Sequence, residues 1–268
     1  MRFDVVVNAT AHLHRQRPGL AAHMRAVAAG RAEIHETADL GELDALAGRL
    51  AARGTDAVIL SGGDGSFMAG ATALARAFGD GALPRLGLLP GGTVATVARN
   101  WGMRGDPAEL LARLLDAGDA AAHTERQTLR VMARGASGEA HMRVGFIFGT
   151  GLVASFFDVY YDGGARGYGA SAKIVARIFV ESFVGGPLAK KILTPLPCTI
   201  DVEGATLAPR AFSLVCASVI KDLGIGMKVT YRGGDDPERV HLVASSLPPN
   251  DLGPRVFRVL AGASIGGR

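Results

Sequence analysis

Two short stretches hold residues whose types and spacing can do chemistry. Residues 59–66 read ILSGGDGS and residues 88–93 read LLPGGT, each placing glycines directly after an aliphatic run. Without side chains, Gly62, Gly63 and Gly65 let backbone N–H groups face an anion. A helix starting near Ser66 would add the positive end of its dipole, which is how phosphate is commonly cradled. Asp64 is the odd member, since a carboxylate in such a cradle repels phosphate unless a divalent cation bridges them. It therefore points to Mg²⁺ held with a nucleotide. The turn also reads as a tight strand-to-helix connection with Asp64 as a helix cap. In the second stretch Gly92 completes the turn, and Thr93 either caps the next helix or offers its hydroxyl to phosphate. Two such turns at the ends of neighbouring strands favour one shared nucleotide site.

Strands must deliver these turns and helices must leave them. RFDVVVN, AEIHET, DAVILSGG and LPRLGLLPGG read as strands. PGLAAHMRAVAAG, LGELDALAGRLAARG, SFMAGATALARAF and TVATVARNWG read as helices, the second carrying Leu40, Leu43, Leu46 and Leu50 at helical spacing. Alternation of this kind predicts a doubly wound parallel sheet, whose ligands sit beyond the carboxyl ends of the strands. After about residue 123 the texture becomes β-rich, with one helical interruption near ASAKIVARIFVESFVG. The expected organisation is an α/β nucleotide domain over 1–123 and a mostly antiparallel domain over 124–268. FIFGTGLVASFF reads as a buried strand, and also as the lining of a lipid entrance. The imidazoles of His12, His14 and His23 suit metal or phosphate contact but read better as surface groups on a basic loop and helix, and Arg99 and Arg104 suit phosphate or lipid headgroups and a solvated helix face equally well.

The 268 residues are 48% hydrophobic and 20% charged, enough to bury a substantial core. Lys and Arg total 29 against 25 Asp and Glu, a mild basic excess that suits an anionic substrate or membrane surface. It does not suit a dedicated nucleic-acid binder. Cys198 and Cys216 show no metal-ligand spacing, and a reducing, cytoplasmic setting is expected. No apolar window is long enough to span a membrane, which leaves peripheral contact open.

GGDGS followed by PGGTVATVAR resembles the G-G-D-G-[TS] and P-x-G-T-x-N-x-x-A-R motifs of the diacylglycerol kinase catalytic domain family, which includes bacterial lipid kinases, sphingosine kinases and ceramide kinases. The resemblance implies a nucleotide domain joined to a β-sandwich-like domain, with ATP and Mg²⁺ as cofactors. Phosphate would move to the hydroxyl of a lipid partner of the diacylglycerol, sphingoid-base or ceramide type. It further implies peripheral membrane contact, a homodimer as an option, nucleotide contacts from Asn8 and Thr37, and a second cation ligand at Asp236. Asp235 and Asp236 in RGGDDPER also read as a plain exposed turn.

The sequence departs from the family pattern in several places. The early N-P-x-S-G motif is reduced to NATAH, keeping only Asn8, and Phe67, Met68 and Ala69 follow GGDGS where an Asn-Glu pair is frequent. Ala95 and Thr96 stand where Asn and often Asp are expected. The family's catalytic base, an Asp in a D-G-E triplet, has no counterpart, so the catalytic residue is unassigned. VFRVLAGASIGGR closes the sequence about where the strand leading to that triplet is expected, which implies either an early end or another base. Two alternatives follow: a nucleotide- or lipid-binding relative without catalysis, and an NAD kinase, which shares G-G-D-G-T but carries a different second motif.

Overall fold

The computed structural model describes residues 1–92, 94–162, 168–224 and 226–263. They form two compact units, Met1–Phe146 and Ile147–Arg268. The first unit runs β1 (Phe3–Asn8), α1 (His12–Gln16), α2 (Leu20–Ala28), β2 (Ala32–Thr37), α3 (Leu40–Ala52) and β3 (Ala57–Gly62). It continues with α4 (Asp64–Phe78), β4 (Arg85–Pro90), α5 (Thr96–Asn100), α6 (Pro107–Ala117), β5 (Leu129–Arg134) and β6 (Ala140–Gly145).

Four parallel strands pair in the order β2-β1-β3-β4. Successive side chains on a strand face opposite ways, and the hydrophobic residues divide accordingly. Val5, Val7, Ile59 and Leu89 pack with Leu20, Met24 and Leu111 of α2 and α6. Val6, Val58 and Leu60 face the other way, towards Leu46, Leu50 and Leu74 of α3 and α4. Every residue of β3 is buried, as befits a central strand covered on both faces. Helix starts are marked by side chains: Asp39 accepts from Glu42 N–H at the head of α3, and Asp106 from Ala108 N–H at the head of α6. The Arg17 guanidinium bonded to Asp106 holds that carboxyl below its ordinary range.

The antiparallel hairpin β5–β6 packs on α4, with Val144 and Met142 against Ala71 and Ala75. The buried Thr72 hydroxyl accepts from Val144 N–H at 2.9 Å and donates to Met68 C=O at 2.8 Å. Trp101 meets Phe146 edge-on at 5.1 Å. This hairpin therefore belongs with the first unit, and the packing boundary falls after Phe146 rather than at residue 123.

The second unit comprises β7 (Ile147–Gly151), α7 (Leu152–Asp162), α8 (Tyr168–Val184), α9 (Pro187–Leu193) and the two-residue strands β8 (Leu196–Pro197), β9 (Asp201–Val202), β10 (Ala205–Thr206) and β11 (Ala211–Phe212). It continues with β12 (Leu214–Ser218), β13 (His241–Ser245), α10 (Pro249–Leu252) and α11 (Val256–Leu260). Its pairing is antiparallel, led by the sheet β13-β12-β7. Helices fill more of this unit than the one expected interruption. FIFGTGLVASFF is strand only as far as Gly151, whose φ of +64° turns the chain into α7. A Cβ there would lie 2.5 Å from Ser213 O, so glycine is required and the strand must end. Phe156, Ile178, Ile192, Leu193 and Leu214 centre the core of this unit. Burial in that core pushes the Cys216 thiol up to about 12, leaving it inert at neutral pH.

Thr72→Val should strand the buried Val144 N–H. A loss of roughly 1–3 kcal/mol in chemical denaturation is expected, with the first unit's melting most affected; unchanged stability would show that the hairpin is not anchored through Thr72.

Candidate functional site

The carboxyl ends of β1, β2 and β3 lie side by side, with Asn8 opposite Thr37 and Val7 opposite Ser61. Beside them opens a cleft of about 220 Å³ lined in part by Asn8, Thr10, Thr37, Asp39, Gly65 and Ser66 and in part by the apolar Leu40, Leu43 and Leu60. Four residues taken from three separate stretches, Asn8, Thr37, and Gly65 with Ser66, thus share one cavity. The Asn8 amide donates to Ser66 Oγ at 2.8 Å, and its carbonyl accepts from the N–H and hydroxyl of Thr10 at 2.9 and 2.7 Å. Ser66 Oγ also accepts from Gly63 N–H at 3.3 Å. Thr10 and Asp39 were not singled out in the sequence; the short polar side chain two residues after Asn8 was the available signal for Thr10.

The glycines of the two turns are spent largely on each other. Gly91 N–H donates to Gly62 C=O at 2.7 Å. A Cβ on Gly92 would lie 2.5 Å from Gly63 Cα, and one on Gly63 would lie 3.2 Å from Gly92 Cα. Two backbones in contact, rather than a ligand against a backbone, account for Gly63 and Gly92, whereas a Cβ on Gly62 would run into Ser66 Oγ. Gly65 differs: a Cβ there meets open space, and the residue lines the cleft.

Asp64 opens α4 but caps a different helix. Its two oxygens accept from Thr96 N–H and Val97 N–H, each at 2.9 Å, at the head of α5. The carboxylate so fastens the second turn to the first. Thr93 lies outside the described residues. Asp236, in the second unit, accepts from Glu238 N–H at 2.8 Å and faces Arg239 at 3.8 Å in an exposed turn.

His14 is buried, contrary to the surface position expected for it. Its Nε2 lies 2.9 Å from Ser61 Oγ, and the preceding Leu13 N–H donates to Gly91 C=O at 3.0 Å. Short α1 is thereby strapped across the ends of β3 and β4. Burial is the main cause holding the imidazole below its ordinary 6.5; Glu36 opposes the shift and Arg17 adds to it.

Among the described residues, one group of three could hold a metal ion by spacing: Asp4, Glu33 and His35. It sits at the opposite ends of the strands. Fully buried Asp4 accepts from Thr55 Oγ1 and His35 Nε2 at 2.9 and 2.8 Å and is paired with Arg53, which also meets Glu33 at 2.7 Å. A guanidinium already occupies the place a cation would take, so the group is a structural ion-pair network.

A four-stranded parallel sheet with helices packed on it, whose strand ends carry paired glycine turns, a helix N-terminus and a cleft, defines the unit as a doubly wound α/β domain with a candidate ligand site at its carboxyl edge. Residues 2–132 match the diacylglycerol kinase catalytic domain. No curated protein matches the sequence. Among solved structures, a "putative diacylglycerol kinase" of Bacillus anthracis str. Sterne is 18% identical, with a TM-score of 0.61 over 98% of this chain and 79% of that one. A second structure from that strain, a diacylglycerol kinase, is 16% identical with a TM-score of 0.56 over 98% and 79%. At this identity the likeness establishes the two-domain fold.

Because His14 is held neutral, the unfolded chain takes up its proton first. The stability it contributes is whole above about pH 6.5 and is lost as pH falls below that value. His14→Gln should accordingly show a lower urea midpoint at neutral pH but a shallower decline on acidification; parallel pH profiles would show that His14 does not titrate between the two states.

Proposed function

We propose that the chain is a lipid kinase that transfers the γ-phosphate of ATP, with Mg²⁺, to the hydroxyl of a diacylglycerol, sphingoid base or ceramide. The observation that carries this reading is the cleft, which gathers Asn8, Thr37, Gly65 and Ser66 at the carboxyl ends of the strands. The first turn of α4 supplies N–H groups with no partner inside the helix, and the bare Gly65 leaves room for phosphate to approach them. Ser66 adds a hydroxyl, and Asn8 orients it. The donor set fits an anion held mainly by neutral groups.

Mg²⁺ would neutralise the phosphates as they transfer. Asp64 keeps about half of its roughly four lone-pair sites beyond those used at α5, enough to bind the ion or its water. The acceptor's apolar body has a candidate host in the second unit, an apolar cavity of about 100 Å³ lined by residues such as Phe156, Ile178, Leu214 and Val259. In-line transfer then depends on positioning more than on covalent chemistry.

The test is transfer from γ-labelled ATP to a lipid panel in mixed micelles with Mg²⁺, alongside Gly65→Leu. Label in one lipid class is expected, with ATP affinity falling about tenfold or more in the variant and its melting temperature held. ATP binding without label in any lipid would favour a non-catalytic relative. Unchanged ATP affinity in the variant would remove α4 from the phosphate site.

A further inference from the structure

The far end of α8 is apolar on a face that no part of the described chain covers. Val180, Phe183 and Val184 follow helical i, i+3, i+4 spacing and are 64%, 61% and 79% exposed. Phe179 joins them to α11, lying 5.1 Å from Phe183 and 4.8 Å from Phe257, which is itself 54% exposed. The opposite faces of the two helices are also apolar, with Ile178 and Val259 lining the internal cavity. A helix hydrophobic on both sides is ordinarily buried, and a contiguous exposed patch of aromatic and branched residues marks an interaction surface.

The charges beside the patch identify its partner. The turn Gly185–Gly186 follows Val184, and the side chain of exposed Lys190 packs over Gly185, with exposed Lys191 next in the chain. The acidic group nearby, Glu181, is already committed: it accepts from Arg177 at 2.6 Å and from Leu188 N–H and Ala189 N–H at 2.6 and 3.2 Å. The lysines are therefore not neutralised by it. A second copy of the patch would cover the apolar tip with the same apolar and basic groups and so bring no new anionic partner for the lysines. An anionic lipid surface instead offers hydrocarbon to the aromatic tip and negative headgroups to the ammonium groups. Among the described residues no helix is long and apolar enough to cross a membrane, so the tip can enter the interface without spanning it.

We infer that the α8–α11 tip, with Val180, Phe183, Val184 and Phe257 at its centre and Lys190 and Lys191 beside it, docks the chain on anionic membranes. Its purpose rests on the lipid-kinase reading; its geometry does not. Docking there would hold the apolar cavity, which the same two helices line from within, close to a bilayer that supplies the acceptor.

The test is co-sedimentation of the full chain with vesicles of phosphatidylcholine alone or mixed with phosphatidylglycerol, using the double variants Phe183→Ser/Val184→Ser and Lys190→Glu/Lys191→Glu. The wild type should bind only the anionic vesicles, and each variant should lose about tenfold or more in affinity. The changed side chains are exposed, so melting temperature should hold. No wild-type binding, or equal binding by both variants, overturns the proposal. So does a dimer in sedimentation velocity that the serine variant dissociates. Transfer to monomeric short-chain diacylglycerol, sphingoid base or ceramide separates the two readings: vesicle binding without transfer to any of the three sinks the kinase assignment and leaves the docking surface standing.

Discussion

The first unit is organised around a contact between two backbones. Where β3 and β4 end, Gly91 N–H reaches Gly62 C=O, and Gly63 and Gly92 come so close that a Cβ on Gly92 would lie 2.5 Å from Gly63 Cα. The strand ladder thereby continues past the strands into the turns. Asp64 locks the result by donating no proton and accepting two, from the first N–H groups of α5. A carboxylate at a helix N-terminus is stabilised both by those bonds and by the dipole. Two strand ends and two helix starts consequently move as one body, and α1 is added to it through Leu13 and His14.

That arrangement decides what is left over for a ligand. The N–H groups at the head of α4 are not consumed by the glycine joint, and Gly65 leaves them uncovered. No lysine or arginine lines the cleft among the described residues, and its Asp39 carboxylate is engaged at the head of α3, so an anion there would be held by backbone dipoles and neutral side chains. Fixed dipoles need no reorganisation when charge shifts during transfer, which suits a reaction whose charge is redistributed over phosphoryl oxygens. A buried ionic network of this unit lies instead towards the other end of the sheet, where Asp4, His35, Arg53 and Glu33 satisfy one another.

The strands and helices of the first unit were legible because their signals are local: alternation along β1, leucine spacing in α3, glycines after aliphatic runs. What was not legible depends on which elements become neighbours. The glycine pattern is the same whether a ligand or another turn approaches it, and only the pairing of β3 with β4 decides. His14 stands among basic residues and reads as exposed, yet a short helix folding back over Ser61 buries it. An apolar run such as GLVASFF carries strand and helix signals together, and the steric demand at Gly151, made by Ser213 far along the chain, selects the helix. The β5–β6 hairpin looks like the start of a new domain until its packing on α4 is known.

The departure at Ala95 can be weighed in the same physical terms. The family motif has Asn at this position, and the backbone here adopts φ 51°, the left-handed region that Asn enters more readily than other non-glycine residues. Alanine gains nothing locally from that conformation, so the surroundings must impose it. They do so immediately afterwards, where Asp64 binds the N–H groups of Thr96 and Val97, and Ala95 itself is buried at 3% exposure. The substitution therefore removes a side-chain amide without releasing the turn that the amide would have favoured. A lost side-chain contact and a lost cradle are different events, and the geometry at Ala95 corresponds to the first.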